Sequence, residues 1–256
     1  MSVTISNSTL TSIKINPPLI LDQLALMYDV GNRNSYTSGT TLTNMAPAQF
    51  SNGVNGTLDN SSMVTTPTNA HPYIQLETDD NANLRRIALD STISLSTDDT
   101  NRTMSIWFWS NYNSTGQYSN SHALLGGKYT NYLAVRNSSA TTYTTEAETN
   151  GGTIGNHDYF ANGESLSFGA WNDWTVVWNG GDAQNYINGV SVGSTYEMNA
   201  DSTFSFSRIG STSTGNTSNN RGGTWRLGGF LLYNKALSAN DVTQNNKVFR
   251  QKFSRG

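Results

Sequence analysis

The sequence predicts an all-β protein built from short antiparallel strands, and three observations support this. Trp174, Val176 and Trp178 occupy alternate positions, so an extended chain directs all three side chains to one face of a sheet. The turn-forming residues Asn-Gly-Gly-Asp follow at 179–182 and tolerate left-handed backbone. The dipeptide Asn-Gly at 188–189 is a strong short-range signal for a hairpin. We therefore expect a meander of strands with Trp174 and Trp178 in the core.

Length and composition favour one domain with a neutral, polar surface. A chain of 256 residues can bury a single large core, and all-β domains of this size are common. Only 13% of the residues are charged and the formal net charge is −3, which argues against nucleic-acid binding through phosphate neutralisation. The chain has no cysteine, which excludes disulfides and thiolate metal sites.

The first twenty residues predict an N-terminal arm (residues 1–20) in front of a globular domain at residues 21–256. The arm alternates weakly between apolar and polar residues, and the prolines at 17–18 forbid helix and mark a rigid joint. An extended segment of this kind can add a strand to the sheet edge of a partner. The arm lacks the basic start and apolar run of a signal peptide, and no stretch approaches the roughly 18 apolar residues of a membrane span. We therefore expect synthesis in a cytoplasm and no membrane insertion.

Several short motifs follow one another between residues 21 and 250, including LALMYDVGNRNSYTSGTT at 24–41, NGTL at 55–58, TMSIWFWS at 103–110, FSFSRIG at 204–210 and NKALSANDV at 234–242. In this order they resemble the laminin-G-like domains of the concanavalin A-like jelly-roll family. The resemblance implies an antiparallel β-sandwich jelly roll with one short C-terminal helix near residues 238–249. Ser238 would be the N-cap of that helix, and Asp241 would complete a capping box.

The segment at 104–110 has two apolar faces, with Ile106 and Phe108 pointing one way and Trp107 and Trp109 the other. The family also has Trp at the position of Trp107, so we expect Trp107 to pack. Trp109 replaces a residue that is polar or basic in the family, and it is the better candidate for stacking against a sugar ring, with burial as the alternative. Further tyrosines among Asn, Gly and Ser complete the candidate glycan-binding set: Tyr112, Tyr118, Tyr129 and Tyr159.

Calcium is the one cofactor that the sequence leaves open. Laminin-G-like domains often hold a calcium ion through carboxylates and backbone carbonyls, and the ion requires six to eight oxygen ligands. The candidate ligands are Glu77, Asp79 and Asp80, with Asp98 and Asp99 as a second group. Neither group resembles an EF-hand loop, and the alternative, solvated turn carboxylates, is favoured.

The sequence predicts no enzyme and no catalytic residues. The glucanase branch of this fold carries Glu-x-Asp-x-x-Glu on one strand, which places the carboxylates on one face at a separation suited to glycoside hydrolysis. The nearest match is Glu146-Ala147-Glu148, which lacks the central Asp and the third Glu. None of the three histidines has a Gly-x-Ser-x-Gly partner motif.

These absences, and the resemblance to laminin-G-like proteins of phage particles, predict a non-enzymatic virion structural protein. It would lie on the outer surface of the particle, as a capsid or tail decoration or an adhesin that holds host or environmental glycans. The arm would bind other virion subunits, or a second copy of the chain in a homo-oligomer. The alternatives are a glycoside hydrolase of the same fold and a secreted lectin module. The Met1 start and the basic tail at 250–256 argue against a module cut from a longer protein.

Overall fold

The structure is a computed structural model of the chain. It describes residues 18–68, 70–76, 85–96, 101–110, 122–128, 131–137, 143–148, 166–167, 169–180, 182–197, 203–210 and 225–253.

Within these residues the chain forms fifteen strands, one 3-10 turn at Ser61–Met63 and one α-helix, α1, at Ala239–Phe253. In chain order the strands are β1 Leu24–Asp29, β2 Thr41–Leu42, β3 Gly56–Leu58, β4 Val64–Thr65, β5 Tyr73–Leu76, β6 Ile87–Ser96, β7 Arg102–Ser110, β8 His122–Lys128, β9 Asn131–Asn137, β10 Tyr143–Glu148, β11 Ala170–Asn179, β12 Asp182–Ile187, β13 Val190–Glu197, β14 Thr203–Ile209 and β15 Trp225–Tyr233.

The strands form two antiparallel sheets, which confirms the predicted all-β sandwich. Sheet A has the order β13-β12-β11-β7-β15-β5-β4, and β1 also pairs with β15. Sheet B has the order β10-β9-β8-β14-β6-β3-β2. Because β1 pairs with residues 229–233 and β5 with residues 225–227, these two strands share one edge of β15.

The main core lies between the sheets and contains the predicted tryptophans. Trp174, Val176 and Trp178 are all buried there, which confirms the alternation in β11. From β7, Ile106 and Phe108 enter the same core. Apolar residues at alternate positions therefore fix which face of sheet A turns inward.

A second apolar cluster lies on the outer face of sheet A, under α1. Trp107 is buried there and stacks on Phe249 and Phe253, each with ring centroids 6.0 Å apart, which confirms that Trp107 packs. The close approach depends on Gly228 and Gly229 in β15, where an added Cβ would lie 2.3 Å and 2.4 Å from ring atoms of Phe253 and Phe249. The helix therefore rests directly on the strand backbone.

The start of α1 is the predicted capping box. The Asp241 N–H donates to Ser238 Oγ at 3.2 Å, and the Ser238 N–H donates to the Asp241 carboxylate at 3.1 Å. The helix continues to Phe253, four residues beyond the predicted end, because Phe249 and Phe253 one turn apart both pack on sheet A. No helix among the described residues is long and apolar enough to cross a membrane.

The predicted hairpin joins β12 and β13. Asn188 and Gly189 have φ values of 54° and 81°, as a two-residue turn with left-handed backbone requires. A Cβ at Gly189 would lie 2.9 Å from Cβ of Asn246 in α1. The turn thus needs glycine for its backbone conformation and for the approach of the helix.

Residues 18–20 contact the sandwich. The Ile20 N–H donates to Asn245 Oδ1 at 3.0 Å, and the Tyr233 hydroxyl donates to the Ile20 carbonyl at 2.9 Å. Leu19 and Ile20 also pack against the cluster under α1. The remainder of the predicted arm, residues 1–17, lies outside the described residues.

Candidate functional site

Four strands of sheet A start or end in a single row, which we call the sheet A rim. Ala170 pairs with Ser110, Ser110 with Trp225, and Trp225 with Leu76. The chain continues from this row into residues 77–84 and 111–121 and enters it from residues 211–224. Several predicted binding residues belong to these segments, which lie outside the described residues.

The next row inward carries large polar and aromatic side chains. It runs across four strands as Trp171 in β11, Trp109 in β7, Arg226 in β15 and Gln75 in β5, each paired with the next. The side chains lie on the outer face of sheet A, because their sequence neighbours Phe108, Trp225, Leu227 and Leu76 are in the core. Since neighbouring strands are about 4.8 Å apart, the row spans about 14 Å.

Three side chains of this row, those of Trp109, Trp171 and Arg226, form a contiguous set with Tyr73. The Arg226 guanidinium carbon lies 3.9 Å from the centroid of the Trp109 ring and 4.7 Å from that of the Tyr73 ring. The Tyr73 and Trp171 rings meet edge to face with centroids 6.3 Å apart. Tyr73, Trp109, Trp171 and Arg226 are all half-buried, and we call them the aromatic–arginine cluster. Half-buried rings beside a cation can bind a ligand that has both an apolar face and polar edges.

The cluster is bounded by the C-terminal end of α1. The ring centroids of Phe253 and Trp171 are 4.2 Å apart. The His71 ring meets the Phe253 ring edge to face, with their centroids 4.6 Å apart. His71 Nε2 in turn contacts the buried Asp29 carboxylate at 2.9 Å, and Lys252 Nζ contacts the same carboxylate. Burial alone would raise the pKa of Asp29, but the hydrogen bond from His71 and the charge of Lys252 hold it below its usual value.

A second polar cluster fastens α1 to the middle of sheet A. The fully buried Asp173 carboxylate accepts hydrogen bonds from Ser105 Oγ at 2.8 Å, Asn246 Nδ2 at 3.0 Å and Thr175 Oγ1 at 3.1 Å. Burial raises the pKa of Asp173 to about 6, although these three hydrogen bonds oppose the shift. Each donor is used within the protein, so the arrangement serves to hold the helix in place.

An open groove of about 680 Å³ lies beside the β12–β13 hairpin, near the start of α1. Its base includes Val177 and Tyr186, which are almost fully buried. We call it the polar groove, because amide and hydroxyl groups line it together with the charged side chains of Asp182 and Lys235; the amides and hydroxyls belong to Asn101, Asn179, Gln184, Thr195 and Ser238. Because the Tyr186 ring is covered, the groove offers hydrogen bonds to a ligand but no exposed ring for stacking.

The family follows from the sequence match. Residues 87–243, more than half of the chain, match a laminin G family model described as the concanavalin A-like lectin/glucanases superfamily. The chain belongs to this superfamily. No curated protein sequence matches it.

Solved structures share the fold of this concanavalin A-like chain at low sequence identity. They include the binding domain of Paraclostridial Mosquitocidal Protein 1, with 16% identity and a TM-score of 0.56, and the botulinum neurotoxin serotype D binding domain, with 14% and 0.56. A mutant of Trypanosoma rangeli sialidase displaying trans-sialidase activity is similar at 10% identity and a TM-score of 0.56. Each match covers 90% of this chain but 52%, 51% and 33% of the other chain, respectively. The chain thus spans about half of the first two proteins and a third of the last, and the likeness concerns the fold.

Of the predicted glycan-binding residues of this concanavalin A-like chain, the structure describes Trp109. It is half-buried, and Arg226 lies over its ring. Its role in binding stays a prediction. The other predicted residues lie outside the described part of the chain: Tyr112, Tyr118, Tyr129, Tyr159, Glu77, Asp79, Asp80, Asp98 and Asp99.

The sequence also offered candidate calcium ligands and, at Glu146-Ala147-Glu148, an incomplete match to the glucanase pattern. Among the described residues, no group of three or more His, Cys, Asp or Glu side chains is placed to hold a metal ion. Glu146 and Glu148 lie in β10, the strand at one end of the order of sheet B, where they pair with Ala134 and Tyr132 of β9.

Sequence reasoning missed Tyr73, Trp171 and Arg226. A local signal existed for Arg226, since it is the one charged residue in the apolar strand β15 and lies between two core residues. No local signal connects the three residues, because they come from different strands and meet only through the pairing of those strands.

Proposed function

We propose that this concanavalin A-like domain is a non-enzymatic glycan-binding module and that its ligand lies on the aromatic–arginine cluster. The observation that carries the proposal is the side-by-side placement of half-buried Tyr73, Trp109 and Trp171 around Arg226 on the outer face of sheet A. Sugars stack their apolar C–H faces on aromatic rings, while their hydroxyls need polar partners at the ring edges. The cluster supplies both the rings and a polar partner.

The size of the row suits a short oligosaccharide. The row from Trp171 to Gln75 spans about 14 Å across four strands. Strands paired on both sides hold such a row rigidly, so little conformational entropy is lost on binding. The row is also next to the sheet A rim, where segments holding Tyr112 and Tyr118 leave the sheet, and these tyrosines remain candidates for additional contacts.

The non-enzymatic part of the proposal rests on the sequence. Retaining and inverting glycosidases need a pair of carboxyl groups that flank the scissile bond. The Glu146–Glu148 pair lacks the further carboxylates of the glucanase pattern. We expect that incubation with a panel of glucans releases no reducing ends. Release of reducing ends that is abolished by Glu146→Gln or Glu148→Gln would instead establish a glycoside hydrolase.

We further propose that the domain is displayed on the outer surface of a virion, with residues 1–17 attached to a neighbouring subunit. The support is compositional: few charges, many Asn, Ser, Thr and Gly residues, and no cysteine. Immunogold electron microscopy of particles tests this directly. Label on the capsid or tail is expected, and particles without label from cells that express the protein would reject the virion assignment.

The binding site is tested by comparing the cluster with the polar groove. Trp109→Ala is expected to abolish binding to whichever glycans the wild-type protein selects from an array, as measured by isothermal titration calorimetry. Asn101→Ala and Thr195→Ala are the matched controls, because both side chains line the polar groove and are exposed. The reverse result would move the site to the groove. If the folded wild-type protein binds no glycan on the array, the proposed function is wrong.

A further inference from the structure

We infer that the aromatic–arginine cluster selects acidic saccharides and that Arg226 binds their carboxylate or sulfate group. The inference rests on the proposed function, because it names the class of sugar that the same cluster would hold. The observation that carries the inference is the position of Arg226 among aromatic rings, where all four side chains are partly exposed to solvent.

Strand β15 directs Arg226 to the outer face of sheet A. Its neighbours Trp225 and Leu227 are buried in the core, so alternation along the strand turns Arg226 away from it. Arg226 is half-buried, and its Nε is covered and has no hydrogen-bond acceptor. Among the described residues, none accepts a hydrogen bond from this guanidinium, so within this part of the chain its donors stay unused.

Stacking holds the guanidinium between two rings. Its central carbon is 3.9 Å from the Trp109 ring centroid and 4.7 Å from the Tyr73 ring centroid. A cation over aromatic rings is stabilised through its face, which leaves the N–H groups at its edge for other partners. A donor fork held in one orientation loses less entropy when it binds a planar anion.

The charge of Arg226 has no carboxylate partner within the described part of the chain. Four other basic side chains there do have one, in the pairs His71–Asp29, Lys252–Asp29, Lys235–Asp22 and Arg86–Asp59. The protein as a whole carries a net charge of −3, so its overall field does not attract anions. Recognition of an acidic sugar would therefore depend on this local cation.

An acidic sugar fits the cluster better than a free anion or a neutral sugar. Its carboxylate presents two oxygens in the spacing that a guanidinium binds in a bidentate manner, and a sulfate ester offers a similar acceptor. Its ring can at the same time stack on Trp171 or Tyr73. A free anion has no ring to stack on the aromatic side chains, and a neutral sugar offers the charge of Arg226 no anionic partner.

The test uses the full chain and an array of neutral, uronic-acid and sulfated oligosaccharides, followed by calorimetry on the bound ones. Acidic glycans are expected to bind more tightly than neutral ones of equal length, and the uronic-acid and sulfated sets show which anion is preferred. Arg226→Gln should lower the affinity for acidic glycans about 10- to 100-fold, the range for one charge-assisted hydrogen-bonded group, and should affect neutral glycans little. Arg250→Gln, on the exposed surface of α1, is the matched control for loss of one positive charge.

Each outcome decides a different statement. Equal binding of neutral and acidic glycans, with Trp109→Ala still abolishing it, would overturn the acidic selectivity and leave the proposed function standing. Acidic binding that is unchanged in Arg226→Gln would place the anion elsewhere. If Arg226→Gln does not fold, the wild-type protein still gives an answer, because methyl esterification of the uronic acids and added salt should both weaken binding. Failure of every glycan to bind would reject the proposed function itself.

Discussion

The Asp173 carboxylate in β11 accepts a hydrogen bond from Asn246 Nδ2 in α1 at 3.0 Å. The contact joins the C-terminal helix to the centre of sheet A, and the carboxylate is fully buried. Its other partners are neutral hydroxyl groups, so no cation among its hydrogen-bond partners stabilises the ionised form. The stability of this contact between helix and sheet is therefore linked to the protonation of Asp173.

The first prediction is a loss of stability between about pH 4 and pH 6. The pKa of Asp173 is raised from 3.8 to about 6, so its contribution to stability is fully present below pH 4 and is lost as the pH rises towards 6. The expected decrease in the free energy of unfolding is roughly 3 kcal/mol. Asp29 acts in the opposite sense, since its pKa is lowered and its contribution is lost only at more acidic pH.

Urea unfolding at several pH values measures this decrease. Asp173→Asn should remove this decrease, because an amide does not titrate. The fold is kept, since the Asn246 side chain can rotate so that its oxygen accepts an N–H from the new amide. The exposed Asp182→Asn is the matched control and should keep the wild-type profile. A decrease of the same size in Asp173→Asn would assign the pH dependence to other groups.

The second prediction concerns the core. Trp174 is 1% exposed and its Nε1–H donates to Asn185 Oδ1 at 2.9 Å. Trp174→Ala should lower the free energy of unfolding by about 3–5 kcal/mol through lost burial and an unpaired amide. Trp109→Ala, at a half-buried position, should cost clearly less. Chemical denaturation of both variants checks this, and a change below about 1 kcal/mol for Trp174→Ala would contradict its place in the core.

The third prediction separates backbone strain from packing at the β12–β13 turn. Gly189 has a φ of 81° and lies against Asn246, whereas Gly180 has a φ of 61° with nothing within 4 Å of an added Cβ. Gly180→Ala should cost about 1 kcal/mol for the left-handed conformation alone. Gly189→Ala should cost more, because Asn246 and the helix must also move. Equal melting temperatures for the two variants would show that α1 adapts without cost.

The fourth prediction concerns the arm. Removal of residues 2–17 should leave a folded domain, because the contacts of Pro18 and Ile20 with α1 are kept. The shortened protein should no longer sediment with particles, since an extended segment binds by lending its backbone to a sheet edge. Melting temperature is the control for folding. Binding at unchanged occupancy would mean that attachment occurs through the sandwich.

Local sequence patterns were sufficient to predict much of the fold. Alternation in β11 placed Trp174 and Trp178 in the core, the Asn188-Gly189 turn set the hairpin, and Ser238 with Asp241 marked the helix start. Each of these features depends on residues a few positions apart, so one chain segment contains the whole signal.

The candidate site could not be predicted in the same way. Trp109 was recognisable because it departs from the family pattern, but its neighbours Tyr73, Trp171 and Arg226 are set by strand pairing between distant segments. Gln75 and Trp225, which meet beside the cluster, are 150 residues apart in the sequence. The burial of Asp173 was hidden for a similar reason, because a polar residue on the outer face of a strand normally faces solvent, and here α1 covers it.

The contacts of Ile20 have a mechanical consequence. The chain enters the sandwich through Ile20, which is hydrogen-bonded to Asn245 in α1 and to Tyr233 in β15, and these two side chains are hydrogen-bonded to each other. Tension applied through the arm is therefore divided between the last strand and the C-terminal helix before it can peel β1 from the edge of β15. If the domain is attached through its arm and pulled by fluid flow, α1 and β15 would therefore resist the separation of β1 together.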